Sequence, residues 1–61
     1  MNMEQFKDKA RKLVSISYNV VYEERATEYN GGFSVTFCLV DGTRIEISYN
    51  KNRATWKASP A

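Results

Sequence analysis

The sequence predicts an α+β fold in two layers, one N-terminal helix packed on a three-stranded antiparallel meander. Two changes of period predict it. Residues 3–13 repeat apolar side chains every three or four positions, the spacing of a single helix stripe. From Val14 the period becomes two, and β-branched residues take over. Three stretches then carry Ile16, Tyr18, Val20 and Tyr22, then Phe33, Val35, Phe37 and Leu39, then Thr43, Ile45, Ile47 and Tyr49 on one face each.

The helix has a signal at each end. Asn2 is placed to cap it, and Gln5 three residues later can reach back to complete a capping box. Glu4 and Asp8 fall early while Lys9, Arg11 and Lys12 fall late, as the helix dipole favours. Met3, Phe6, Ala10 and Leu13 form the stripe expected to face the sheet.

Register decides the next element. A two-residue turn at Asp41-Gly42 would pair Val40 with Thr43 and scatter the apolar set over both faces, since residues directly opposite share a face. A three-residue loop, Val40-Asp41-Gly42, pairs Leu39 with Thr43, Phe37 with Ile45 and Val35 with Ile47. The second arrangement is expected, with Gly42 in the left-handed conformation of a bulge.

Matching faces places Tyr22 opposite Phe33 and Val20 opposite Val35. Residues Glu23 to Gly32 then become a charged arm. Residues 51–57 read either as a short fourth strand or as a segment crossing the sheet, with Trp56 closing one edge of the core. The last four residues are expected to fray. The whole, residues 1–61, is expected to be one α-β-β-β domain, small enough to gain stability from added burial.

Composition narrows function by exclusion. The chain has no His and one Cys, so His-based general bases, His-based metal sites and internal disulfides are excluded. Cys38 has no base to activate it and sits mid-strand, where a small packing residue is the ordinary reading. Glu23, Glu24 and Glu28 lie on the charged arm with nothing to fix a catalytic geometry. The chain is therefore expected not to be an enzyme, with no cofactor, no metal and no small-molecule substrate. No apolar run resembles a signal peptide or a membrane span, and a reduced, cytoplasmic setting is expected with no membrane partner.

Two binding surfaces remain. The sheet face away from the helix is expected to carry small hydroxyl and amide groups with few charges, and charge depletion marks interface cores. Val21, Thr36, Cys38 and Val40 are its candidate contacts, with Tyr22 and Tyr29 as anchors if exposed. The partner would be another protein or a second copy of the chain as a homodimer. Against this stands the ordinary reading, a polar sheet face turned to water. The second surface is basic: Lys51, Arg53, Trp56 and Lys57 in the tail, with Lys7 and Arg11 on the helix flank, beside Lys9 and Lys12. Cations and a stacking ring suit nucleic acid, although a net charge of only +2 is weak support.

Residues 4–47 also carry a partial resemblance. The helix, then Tyr18-x-x-Val21 running into Glu23-Glu24, then Phe33-Ser34-Val35 and Val40-Asp41-Gly42, resembles the first two-thirds of a double-stranded RNA-binding domain. The resemblance implies an α-β-β-β order and contact with RNA. It departs after Gly42, because that family grips phosphates with a lysine-rich start to a second helix. Asn50-Lys51-Asn52-Arg53 is a poor substitute, and shared patterning is the reading adopted. The leading expectation is a small domain acting through protein–protein contact, occluding a partner's site as a phage or mobile-element inhibitor would. The nucleic-acid module is the alternative.

Overall fold

A computed structural model describes residues 1–61. It has one helix, α1 (Met3–Ser15), on a four-stranded antiparallel sheet of β1 (Val20–Tyr29), β2 (Gly32–Leu39), β3 (Arg44–Asn50) and β4 (Thr55–Pro60), in the order β1-β2-β3-β4. The α+β class and the meander are as expected, and the fourth strand is the reading of residues 51–57 that the chain adopts.

The capping box forms. The Gln5 amide donates to the Asn2 side-chain oxygen at 2.9 Å, and the Asn2 amide donates to Gln5 Oε1 at 2.9 Å. The buried stripe is Phe6, Ala10 and Val14, with Met3 packed beside it. Leu13 was expected on this stripe and is instead 45% exposed. Successive steps of four from Phe6 reach Ala10 and then Val14, and Leu13 lies one position off that line. Ile16 and Tyr18, expected on a strand, belong to the helix C-cap and the link beyond it.

The first hairpin corrects the expected register. Tyr22 lies opposite Cys38, not Phe33, and Val20 lies opposite Leu39, not Val35. There is no charged arm: Tyr29 pairs with Gly32 across a two-residue turn, with Gly31 at φ 98°. Glycine enters that conformation without steric cost. Two irregularities, between Val20 and Tyr22 and between Glu23 and Arg25, each displace the alternation. Val20, Glu23, Ala26 and Glu28 therefore share the helix face, being paired with Leu39, Phe37, Val35 and Phe33. A strict period of two fails on a strand bulged twice.

The second hairpin is the expected one. Phe37 pairs with Ile45 and Val35 with Ile47, while the Leu39 amide donates to the Thr43 carbonyl at 2.8 Å. Gly42 closes the three-residue loop at φ 88°. Asp41 braces it, accepting from the Thr43 amide at 3.0 Å and the Thr43 hydroxyl at 2.6 Å. These hydrogen bonds, the hydroxyl's first, hold the Asp41 carboxyl below its ordinary value of 3.8.

The third connection turns on Asn50, whose side-chain oxygen accepts from the amides of Asn52 at 2.9 Å and Arg53 at 3.0 Å. Ala54 follows at φ 53°, the one non-glycine residue with positive φ. β4 then pairs through Ser59 and Pro60 with Glu46 and Ile45, and the Ala61 amide donates to the Arg44 carbonyl at 3.2 Å. The expected fraying of the tail is thus corrected, because the ladder supplies partners for its backbone. Proline is tolerated there because β4 is an edge strand.

The core lies between α1 and the sheet: Phe6, Ala10 and Val14 against Phe33, Val35, Phe37 and Ile47. Phe6 stacks on Phe33 at 5.0 Å between ring centroids and on Trp56 at 5.6 Å, with Tyr49 against Trp56 at 4.8 Å. Gly32 is buried under this end of the sheet, where an added Cβ would overlap the Tyr49 carbonyl oxygen and the Tyr29 ring.

Two measurements check the turns. At Gly42 an added Cβ meets nothing within 4 Å. Gly42→Ala should therefore lose only the left-handed backbone preference, about 1 kcal/mol in urea denaturation, and Ala54→Gly should gain about 0.5–1 kcal/mol. Thr43→Val should raise the Asp41 pKa toward 3.8, as read by side-chain carboxyl NMR. Because the folded value is depressed, Asp41 stabilises the hairpin fully above the unfolded value, and that stabilisation is lost as pH falls through the folded one.

Candidate functional site

The corrected register changes the sheet face away from the helix. Its rows read Tyr22–Cys38–Arg44, then Arg25–Thr36–Glu46–Ser59, then Thr27–Ser34–Ser48–Lys57. Arg25 and Lys57 join Arg44 and Glu46 on it, so the face carries more charge than the few charges expected among its small hydroxyl and amide groups. Thr36, the candidate at its centre, is flanked by Arg25 and Glu46.

At one end of this face Tyr22, Cys38, Arg44 and Glu24 meet. Arg44 Nε lies 2.9 Å from the Glu24 carboxylate, which raises the arginine pKa further above its ordinary value. Hydrogen bonding with Cys38, then electrostatic interaction with Cys38 and with the Glu24 carboxylate, raises the Tyr22 phenol above its ordinary value. Cys38 Sγ lies 3.8 Å from the Leu39 carbonyl oxygen. Within the cluster the Arg44 guanidinium and the Glu24 carboxylate balance each other. Val21 and Val40, both exposed, stand at this end of the sheet, Val21 within the first bulge and Val40 in the hairpin loop. Tyr29 is at the opposite end, over Gly32. The six protein-contact candidates therefore form no single patch.

The basic candidates are also dispersed. Lys7 and Arg11 turn toward Glu23 on β1, at 3.4 and 3.8 Å. Lys51 bonds Glu28 at 2.8 Å and sits 4.5 Å above the Phe33 ring. Trp56 is half-buried, with one ring face stacked on Phe6 and Tyr49 tilted against it, so only part of its ring is exposed. Arg53 and Lys57 are exposed without an ion-pair partner. No group of three or more His, Cys, Asp or Glu side chains is arranged to hold a metal ion, and no helix is long and apolar enough to cross a membrane.

The surface that sequence reasoning missed lies on the helix side. Two hollows of about 330 and 290 Å³ share Leu13 and Trp56 as walls. Ile16, Lys9 and Lys12 complete the first; Tyr18, Ile45, Ile47, Lys57 and Ala58 help line the second. Together they form an apolar groove between the C-terminal half of α1 and the β3–β4 side of the sheet. It is open because α1 packs mainly against β1, β2 and β3 and reaches β4 only through the stack of Phe6 on Trp56. Ile16, 81% exposed, is the most exposed large apolar side chain of the chain. The sequence did hold a signal: at about 100° per residue Leu13 and Val14 fall on the two edges of the stripe set by Phe6 and Ala10, the positions where a side chain can leave the core.

No family model, curated protein or solved structure matches the chain. The groove has a direct test of its independence from the core. Leu13→Ser and Ile16→Ser should each shift stability by no more than about 0.5 kcal/mol, whereas Val14→Ser should cost about 2–3 kcal/mol in thermal or urea unfolding.

Proposed function

We propose that this chain is a non-enzymatic binding domain that acts through protein–protein contact, and that the groove between α1 and β4 is its contact surface. The observation that carries this reading is the exposure of Leu13 and Ile16 beside Trp56 in so small a chain. Contiguous apolar surface rimmed by polar residues marks interaction sites, and burying it would add to a core of few residues. An aromatic side chain at the centre of such a patch is a typical anchor. A domain of this kind acts by covering a surface of its partner.

The dispersed cations support the nucleic-acid alternative less, since Lys7, Arg11 and Lys51 face carboxylates of the chain itself. The experiment compares capture from a lysate of the cell that produces the protein. The wild type should retain a specific protein, Leu13→Asp/Ile16→Asp should lose it, and Cys38→Arg on the other sheet face should keep it. Circular dichroism checks that each variant is folded. Oligonucleotide binding at low salt, lost with rising salt and with Lys51, Arg53 and Lys57 changed to Glu, would overturn the reading in favour of nucleic acid.

A further inference from the structure

We infer that the groove takes an amphipathic helix of another protein, carrying acidic residues along the flank of its apolar stripe that faces α1. This rests on the protein-binding reading above and names the partner's form and charge.

The form follows from what lies beneath the groove. Its floor includes Ile45 and Ile47 of β3, a strand already paired on both sides by β2 and β4. An extended segment laid over that floor would find no backbone partners, whereas a helix satisfies its own. The width agrees. Strands stand about 4.8 Å apart and a helix is about 10 Å across, so one helix covers roughly two or three strands of a four-stranded sheet. α1 occupies the β1–β3 side, and space for a neighbouring helix is left toward β4. A strand added to the edge of β4 would lie beyond the groove rather than in it.

The charge follows from the walls. Lys9 and Lys12 line the groove from α1, and no carboxylate is among the lining residues; Lys57 borders the second hollow, but its register places its side chain on the opposite sheet face. Lys12 is offset by Asp8 at 3.2 Å, while Lys9 has no ion-pair partner. The acidic residues that could have balanced it are engaged elsewhere: Glu23 with Lys7 and Arg11, Glu24 with Arg44, Glu28 with Lys51. A second copy of the chain would bring these lysines against one another, and like charges across an interface oppose association. An apolar floor beside a cationic wall on α1 fits a partner helix with Leu- or Ile-type residues at i, i+3, i+4 and i+7 and Glu or Asp on the flank that faces Lys9 and Lys12.

The test uses two synthetic peptides of about 14 residues, a length comparable to α1. They share one leucine stripe and differ only in Glu or Lys flanks, and both lack tryptophan. Trp56, the single tryptophan, reports binding by fluorescence, and amide chemical shifts locate it. The Glu peptide should bind with shifts at Leu13, Ile16, Trp56 and Ala58, gain helicity, and weaken as salt rises. The Lys peptide should bind about tenfold more weakly or less, and Lys9→Glu/Lys12→Glu should reverse the preference. Equal binding of both peptides would overturn the inference, as would no binding at about 1 mM. Shifts centred on Arg25, Thr36 and Glu46, or a dimer that buries Ile16 without any peptide, would overturn it too. If the Glu peptide fails while lysate capture still depends on Leu13 and Ile16, the helix is wrong and the protein-binding reading stands. If capture is also independent of the groove, both fall.

Discussion

The Phe6 ring holds the two layers together. It stacks on Phe33 at 5.0 Å with planes 16° apart, and on Trp56 at 5.6 Å with planes 8° apart. Those partners stand on β2 and β4, so one helix side chain ties the central sheet to its far edge. Truncating such a ring removes a large buried area and the stacking with it, about 3–5 kcal/mol in total. For a chain of 61 residues that is a large share of the stability to be expected. The position of α1 follows from this contact, with Ala10 and Val14 continuing the buried line. Trp56 spends one ring face on Phe6 and is only half-buried, which leaves it to wall the groove.

Charge placement then decides which surfaces stay available. Each ion pair of the chain is at least partly exposed, and such pairs contribute little stability individually. Their larger effect is on what remains free. β1 delivers Glu23 to the helix flank and Glu28 to Lys51, and these cover cations that would otherwise read as a basic patch. Lys9 is left over on the α1 wall of an apolar groove, and Lys57 on the sheet face turned away from it. Local sequence gives each residue a charge; only the folded register says which charges cancel.

Bulges act in the same way on the sheet. Two of them on an edge strand turn Glu23 toward the helix and place Arg25 on the opposite face, a pattern that also blunts edge-to-edge association. At the other edge β4 carries Lys57 and ends in Pro60, both unfavourable for adding a strand. With both edges guarded, the apolar surface that stays uncovered is on a face.

Local chemistry determined much of this protein. The capping box at Asn2 and Gln5, the α-to-β switch of period and the three-residue loop at Gly42 rest on interactions within a few residues, and each is legible without the fold. The shared face of Val35, Phe37, Ile45 and Ile47 was legible for the same reason, because a short loop leaves few registers to choose from. Tertiary structure decided the rest. The pairing of β1 depended on two bulges whose effect is long-range, since they turn Glu23 toward Lys7 and Arg11. Whether Leu13 or Val14 entered the core depended on where Phe6 docked. The groove arose from that docking, since neither the helix nor the sheet contains it alone. It exists because one helix is too narrow to cover four strands.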